Sequence, residues 1–323
     1  MQSSKLSLSV VVPLFNEGAG LASFHESLIQ AVKAAVDHYE VIYCDDGSDD
    51  NTAALVQKLH HDDPRIKLVK LSRNFGKENT LAVGIALAQG QAIIMIDGDG
   101  QHPPELIPQF IEAWEQGARV VIGVRTANKH EGWFKRLGSL FFYKFFNRLT
   151  NQKLVPGSTD FRLIDRSVQQ AFLKLTESDR ITRGLIDWLG FKRHYIDFTA
   201  NARQQGSAGY SRRKLLTLAT NSFVSLTSVP LYLFGYLGMF ITTAAFVLGS
   251  VVAIEQLLLG DPWNWNFTGT AMLSIMLVFL VGIVLLSQGV LALYISHIHN
   301  QSKQRPLYVI DYAASAGIDA DKE

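Results

Sequence analysis

The residues with chemistry to offer cluster at three short stretches. Pro13-Leu-Phe-Asn-Glu17 follows an apolar run, Asp45-Asp-Gly-Ser-Asp-Asp50 follows a second, and Asp97-Gly-Asp-Gly-Gln101 follows a third. An Asp at such a place can simply cap the next helix, and Asp49 or Asp50 before Asn51-Thr52 fits that role. Asp97 and Asp99 are different. Two carboxylates one residue apart, at the end of a buried strand, suit a hard divalent cation that takes its remaining ligands from phosphate. Arg125 closes a further apolar run, and Arg203 sits in a loop with Gly206, Gly209 and Tyr210. An arginine at the mouth of an acidic crevice is suited to phosphate.

These residues need a frame that brings strand ends together. Five short apolar runs, near 6–12, 41–44, 66–71, 92–96 and 120–124, read as strands buried on both faces. Helical patterns near 18–36, 51–60, 77–89 and 104–116 alternate with them, and Phe161 to Ile164 is another strand-like run. This alternation predicts an α/β domain with a mostly parallel sheet, whose ligands bind at the carboxyl ends of the strands.

The last third of the chain is of another kind. Leu215 to Ile254 is 40 residues without Asp, Glu, Lys, Arg or His, and Pro262 to Ser296 is another 35. A membrane-crossing helix needs about 20 mostly apolar residues, which places spans near 231–254 and 270–293. No Lys or Arg lies between Lys214 and Lys303, while Arg212, Arg213 and Lys214 precede the first span and Lys303 and Arg305 follow the second. The positive-inside rule then puts both termini in the cytoplasm and a short loop, with Trp263, Trp265 and Phe267, outside. The segment 211–229 has the pattern of an amphipathic helix lying in the membrane surface. Trp133 to Leu149 interleaves aromatics with Lys135, Arg136, Lys144 and Arg148. It reads either as a core helix with a solvated edge or as a second interfacial helix.

The expected division is therefore a cytoplasmic catalytic domain over 1–210, an interfacial helix over 211–229, two spans within 230–296 and a cytoplasmic tail over 297–323. Lys plus Arg, 30, balance Asp plus Glu, 29, which argues against a nucleic-acid partner. The single cysteine, Cys44, excludes an internal disulfide and a cysteine-rich metal site. Gly235, Gly238, Gly282 and Gly289 permit close helix packing, and with it a homo-oligomer.

Taken together, Val11-Val-Pro-Leu-Phe-Asn-Glu17, Asp45-Asp-Gly-Ser48, Leu71-Ser-Arg-Asn-Phe-Gly-Lys77, Asp97-Gly-Asp-Gly-Gln-His-Pro-Pro-Glu105 and Thr159-Asp-Phe-Arg-Leu-Ile-Asp-Arg166, followed by two spans, resemble one family. It is the family-2 glycosyltransferases of the polyprenyl-phosphate hexose synthase type, relatives of dolichyl-phosphate mannose synthase and bactoprenol glucosyltransferases. The resemblance reaches to about Tyr308 and implies a nucleotide-sugar-binding domain of the GT-A kind.

It also implies roles. Pro13, Phe15, Glu17, Asp46, Asp97 and Gly98 would meet the nucleotide sugar, with Asp46 toward the base or ribose. Asp97, Asp99 and Gln101 would hold Mg²⁺ or Mn²⁺, and Arg125 and Arg203 would clamp phosphate. Asp99 and Asp160 would be the catalytic acids, and Lys135, Arg136, Arg162 and Arg212 would serve the acceptor lipid. The implied reaction moves a hexosyl group, with inversion, from a UDP- or GDP-linked sugar to a polyprenyl phosphate at the inner or plasma membrane. The chain departs from the family's Asp-Ala-Asp-Leu-Gln-Asp at Gly98, Gly100 and His102, making His102 a candidate extra ligand. It also lacks the usual Lys at Gly209, leaving Arg212 or Arg213 to stand in. A processive polysaccharide synthase would carry more spans and a Gln-x-x-Arg-Trp motif, yet no tryptophan here follows an arginine. A degenerate membrane-anchored scaffold would be expected to have lost Asp97 or Asp99.

Overall fold

The computed structural model describes residues 7–126, 155, 157–177, 180–199, 269–303 and 305–318, together with six positions between 236 and 247. The chain divides into two compact units, Met1–Ala208 with Arg305–Glu323, and Gly209–Gln304.

The first unit is an α/β domain. Strands β1 (Ser7–Leu14), β2 (His38–Asp45), β3 (Ile66–Lys70), β4 (Ala92–Met95), β5 (Val120–Arg125), β6 (Ser158–Asp165) and β7 (Arg193–Phe198) form one sheet, ordered β3-β2-β1-β4-β6-β5-β7. Six strands run in one direction. β6 is reversed and pairs antiparallel with both β4 and β5. Helices α1 (Leu21–Ala35), α2 (Thr52–Asp62), α3 (Lys77–Leu87), α4 (Ile107–Glu115), α5 (Arg166–Phe172) and α6 (Thr182–Trp188) cover the sheet.

Strand alternation sorts the core into two halves. Leu8, Val10, Val12 and Leu14 of β1 face the core that includes α1, α2 and α4, while Val11 faces the core under α3, α5 and α6. β4 divides in the same way, with Ala92 and Ile94 on one side and Ile93 and Met95 on the other. Burying each of these Val, Leu, Ile and Met side chains contributes about 1.5–3 kcal/mol, and a strand buried on both faces has to read as a continuous apolar run. Gly84 lets α3 approach the sheet closely, because a Cβ there would collide with the side chains of Val11 and Cys44.

The edge strand β3 is covered from far along the chain. Leu68 and Ala316 exchange main-chain hydrogen bonds of 2.9 Å, Asp311 N–H donates to the Lys70 carbonyl at 2.8 Å, and Ser72 N–H donates to the Val309 carbonyl at 2.9 Å. Residues expected only as a tail thus strap the sheet, satisfying an edge that would otherwise present unpaired backbone groups.

In the second unit, helix α7 (Gly269–Ser302) contains an 18-residue stretch, Phe279–Ser296, with a mean hydropathy of 2.1 and none of its described side chains buried. Among the described residues it is the one helix long and apolar enough to cross a membrane. The expected span at 231–254 lies largely outside the described residues. Tyr236, Phe240, Ile241, Thr243, Ala244 and Val247, the described positions there, are helical. The interfacial segments 133–149 and 211–229 lie outside the described residues.

Candidate active site

Register, not sequence proximity, assembles the site. In the parallel pair β1–β4, Val11 lies beside Met95, which carries Pro13 to the level of Asp97. In the antiparallel pair β4–β6, Met95 faces Arg162, and two residues further along Asp97 comes level with Asp160. The reversed strand therefore delivers its first residues to the same sheet end at which the parallel strands finish.

The ends of β1 and β2 are stitched together. Asn16, in the left-handed region at φ 56°, donates its N–H to Ser48 Oγ at 2.9 Å and accepts Asp49 N–H on Oδ1 at 3.0 Å. Glu17 N–H donates to Thr52 Oγ1 at 3.1 Å, and Gly18 N–H to the Asp50 carboxylate at 3.1 Å. Asp50, one residue before the N-cap Asn51, also accepts Thr52 N–H, the first of α2, at 3.0 Å. Phe15 projects outward, 44% exposed, while Pro13 and Gly98 are buried.

The first acidic strand end faces inward. Asp45 is fully buried and accepts hydrogen bonds from the Ser48 N–H and hydroxyl. Asp46 is 3% exposed, and its two oxygens accept Phe75 N–H at 2.7 Å and Gly76 N–H at 3.0 Å. Burial pushes both carboxyls above their ordinary range, against the pull of these hydrogen bonds. Asp46, expected toward a base or ribose, is placed with its carboxylate anchoring the loop from Ser72 to Gly76.

The second acidic end is open and carries a cation that sequence reading left without a role. Lys77 Nζ lies 2.6 Å from Asp97 Oδ1 and 2.8 Å from Asp160 Oδ2. Gly76, at φ 93°, turns the chain into α3 so that Lys77 occupies the first helical position. A signal was available, since a lysine at a helix N-terminus opposes the helix dipole and needs an anionic partner. Burial disfavours the Lys77 ammonium, but Asp97 and Asp160 overcome it and raise its pKa. Burial likewise pushes the Asp160 carboxyl up, and Lys77, with Arg183 and Arg162, more than offsets this, leaving it below the usual carboxylate range.

The rest of the rim follows. Asp99 Oδ1 accepts Gln101 N–H at 3.0 Å, and Arg125 Nη1 stands 3.5 Å from Gln101 Oε1. His102 is buried, its ring stacked on Phe161 with centroids 5.4 Å apart and edge-on to Phe198 at 5.7 Å. Its Nδ1 faces the Asp97 N–H at 3.4 Å. Burial lowers its pKa against the opposing pull of Asp97 and Asp99. His102 packs behind the acid loop.

Arg162 overturns its expectation. It is 1% exposed, donates from Nη1 to Asp187 Oδ1 at 2.8 Å and from Nε to the Thr159 carbonyl at 2.8 Å, and lies inside the protein. β6 alternation explains this. Phe161 and Leu163 take the α1/α4 side, which turns Arg162 with Ile164 toward the core under α6. It cannot reach an acceptor lipid. Lys135, Arg136, Arg203 and Arg212 lie outside the described residues.

No group of three His, Cys, Asp or Glu side chains gathers as a metal cluster among the described residues. The donors at the open end, the Asp97 and Asp99 carboxylates and the Gln101 amide oxygen, are all hard oxygens. Mg²⁺ is commonly held by one or two carboxylates with substrate phosphates completing its shell, so this donor set fits a divalent cation that arrives with a phosphate ligand.

The profile of glycosyl transferase family 2 matches residues 9–172. Similar over 94% of the chain are an uncharacterized glycosyltransferase of Synechocystis, 35% identical over 95% of its length, and a bactoprenol glucosyl transferase of Shigella phage SfV, 32% identical over 98%. A prophage bactoprenol glucosyl transferase homolog of Escherichia coli K12 is 32% identical over 98% of its length.

Proposed function

Because this chain is a member of glycosyltransferase family 2, we propose that it transfers a hexosyl group from a UDP- or GDP-linked sugar to a polyprenyl phosphate, with inversion, at the cytoplasmic face of the membrane. The observation that carries the reading is the joining, in one chain, of an open acidic strand end lined by Asp97, Asp99, Gln101 and Arg125 to the long apolar helix α7. The likeness to bactoprenol glucosyl transferases along nearly the whole chain supports it.

In this reading Phe15 and Glu17 meet the nucleotide, and the main chain at Pro13 and Gly98 shapes the floor beneath it. Asp97, Asp99 and Gln101 hold Mg²⁺ or Mn²⁺, which supplies positive charge against the departing diphosphate. Arg125 and Arg203 take phosphate oxygens. An oxygen of the acceptor phosphate attacks the anomeric carbon from the face opposite the leaving group. One C–O bond forms there as the bond to the nucleoside diphosphate breaks. A phosphate monoester with a second pKa of about 6 is already a dianion at neutral pH, so no proton has to be removed. Asp160, held ionised by Lys77, orients the acceptor side. Lys135, Arg136 and Arg212 draw the lipid phosphate to the site, and spans near 231–254 and 270–293 keep the domain at the membrane with both termini cytoplasmic.

The test is a panel of nucleotide sugars offered to purified protein with undecaprenyl phosphate and Mn²⁺, read by mass spectrometry of the lipid. A lipid one hexosyl unit heavier is expected with at least one donor. No heavier lipid with any donor overturns the reading.

A further inference from the structure

The chain is held on both sides of Lys77. Gly76, just before it, is tied to the Asp46 carboxylate at 3.0 Å, and Glu78, just after it, accepts Thr182 N–H at 2.7 Å. Gly84 seats α3 against β1 and β2. The ammonium then reaches the two acids that the β4–β6 register sets level, at 2.6 Å from Asp97 and 2.8 Å from Asp160. Asp97 is also one of the two carboxylates suited to a divalent cation. An ammonium and a divalent cation on one carboxylate repel each other, and in a partly desolvated site that repulsion is weakly screened.

Resting on the transferase reading above, we propose that Lys77 is a positioning residue that occupies Asp97 until a nucleoside diphosphate arrives, and so couples metal binding to donor binding. The diphosphate brings negative charge that can take over the ammonium. Asp97 and Asp99 are then left to the cation that the diphosphate itself helps to hold. Without nucleotide the site resists free metal, and with nucleotide metal and donor enter together. Such coupling is reciprocal, because each ligand tightens the other by the same factor.

The experiment measures Mn²⁺ binding by electron paramagnetic resonance and calorimetry on the full-length protein in detergent, with no acceptor present and therefore without turnover. Mn²⁺ is titrated alone, then with UDP and, in parallel, GDP. In the unaltered protein one of the nucleotides should tighten Mn²⁺ by about 10-fold or more, within the usual span of allosteric coupling. Lys77→Gln should bind Mn²⁺ alone about fivefold or more tighter, and its coupling to nucleotide should shrink toward 1. Asp160→Asn should move the other way, since the ammonium left to Asp97 alone competes harder. It should bind Mn²⁺ alone more weakly than the unaltered protein.

A purely structural role for Lys77 predicts losses of one sign in both variants, with coupling unchanged. Shifts of the same sign in both variants, or undiminished coupling in Lys77→Gln, overturn the proposal. If the unaltered protein binds no Mn²⁺ with or without either nucleotide, the transferase reading falls and this inference falls with it.

Discussion

The Arg162 guanidinium donates to the Asp187 carboxylate at 2.8 Å with both side chains buried, joining the reversed strand β6 to α6 beneath the site. Asp187 also accepts from Arg193 of β7 through its main-chain carbonyl. Removing one member of a buried ion pair strands the other charge and costs about 3–5 kcal/mol. Asp187→Ala is expected to lower the unfolding free energy by that amount, read from denaturant titration of the detergent-solubilised protein. Below its melting temperature the variant should keep the unaltered apparent KM for polyprenyl phosphate. An unchanged stability with a raised acceptor KM would return Arg162 to the lipid site.

The strap on β3 makes a second prediction. Removing residues 306–323 deletes the main-chain hydrogen bonds that pair Leu68, Lys70 and Ser72 with Ala316, Asp311 and Val309. It also takes away Ile310, 8% exposed in place, and so uncovers Val69 and Leu71 of the core cluster it belongs to. At about 1 kcal/mol net for each hydrogen bond, the loss is on the order of 4 kcal/mol before any apolar term. The shortened protein should melt several degrees lower and associate through its open edge. Nucleotide affinity should fall as well, because Ser72 begins the loop that Asp46 anchors. Unchanged melting and nucleotide binding would mean that the strap contributes nothing.

Much of this arrangement was legible because apolar strands buried on both faces advertise themselves. The runs at 6–12, 41–44, 66–71, 92–96 and 120–124 all correspond to strands. β7, Arg-His-Tyr-Ile-Asp-Phe, was not seen, since it is an edge strand with only Phe198 buried and carries no core pattern. The reversal of β6 also escaped. Direction leaves no mark in composition, yet it is what sets Asp160 level with Asp97. The acids at Asp97 and Asp99 were read from position alone. The inward turn of Asp46 and Arg162 was not, because each is decided by partners about 25 to 30 residues away: Phe75 and Gly76 for one, Asp187 for the other.

The proposed membrane orientation rests on cation placement. With Cys44, which is buried, replaced, a cysteine at Asn266 should react with an impermeant thiol reagent applied to intact cells. A cysteine at Ser302, at the end of α7, should not. The motivating observation is that no Lys or Arg lies between Lys214 and Lys303. Labelling at Ser302 and protection at Asn266 would reverse the orientation.

The proposed metal dependence rests on the donor set. Hard oxygens at Asp97, Asp99 and Gln101, with the sole cysteine buried away in β2, favour Mg²⁺ or Mn²⁺ over softer ions. Exhaustive chelation is expected to abolish transfer, and added Mg²⁺ or Mn²⁺ to restore it. Full turnover in chelator would remove the metal from the reading.

Asp99 and Asp160 should not be equal in catalysis. A useful general base has a pKa near the working pH. Asp160 is held below the ordinary carboxylate range, because Lys77 overcomes the effect of its burial, so it is a poor proton acceptor. If it were nevertheless an obligatory base, Asp160→Asn would remove about 10²–10⁴-fold in rate. With the acceptor phosphate attacking unaided, the loss should be smaller and fall mainly on acceptor KM. Asp99→Asn should do more damage to kcat, because it weakens charge stabilisation of the leaving diphosphate. The expected order at saturating donor and acceptor is Asp99→Asn worse than Asp160→Asn. The pH–rate profile of the unaltered enzyme should fall on the acid side near the second phosphate pKa of about 6, and that limb should persist in Asp160→Asn. If instead Asp160→Asn is the more damaging change in kcat and the acid limb vanishes with it, Asp160 takes the proton and the unaided attack is wrong.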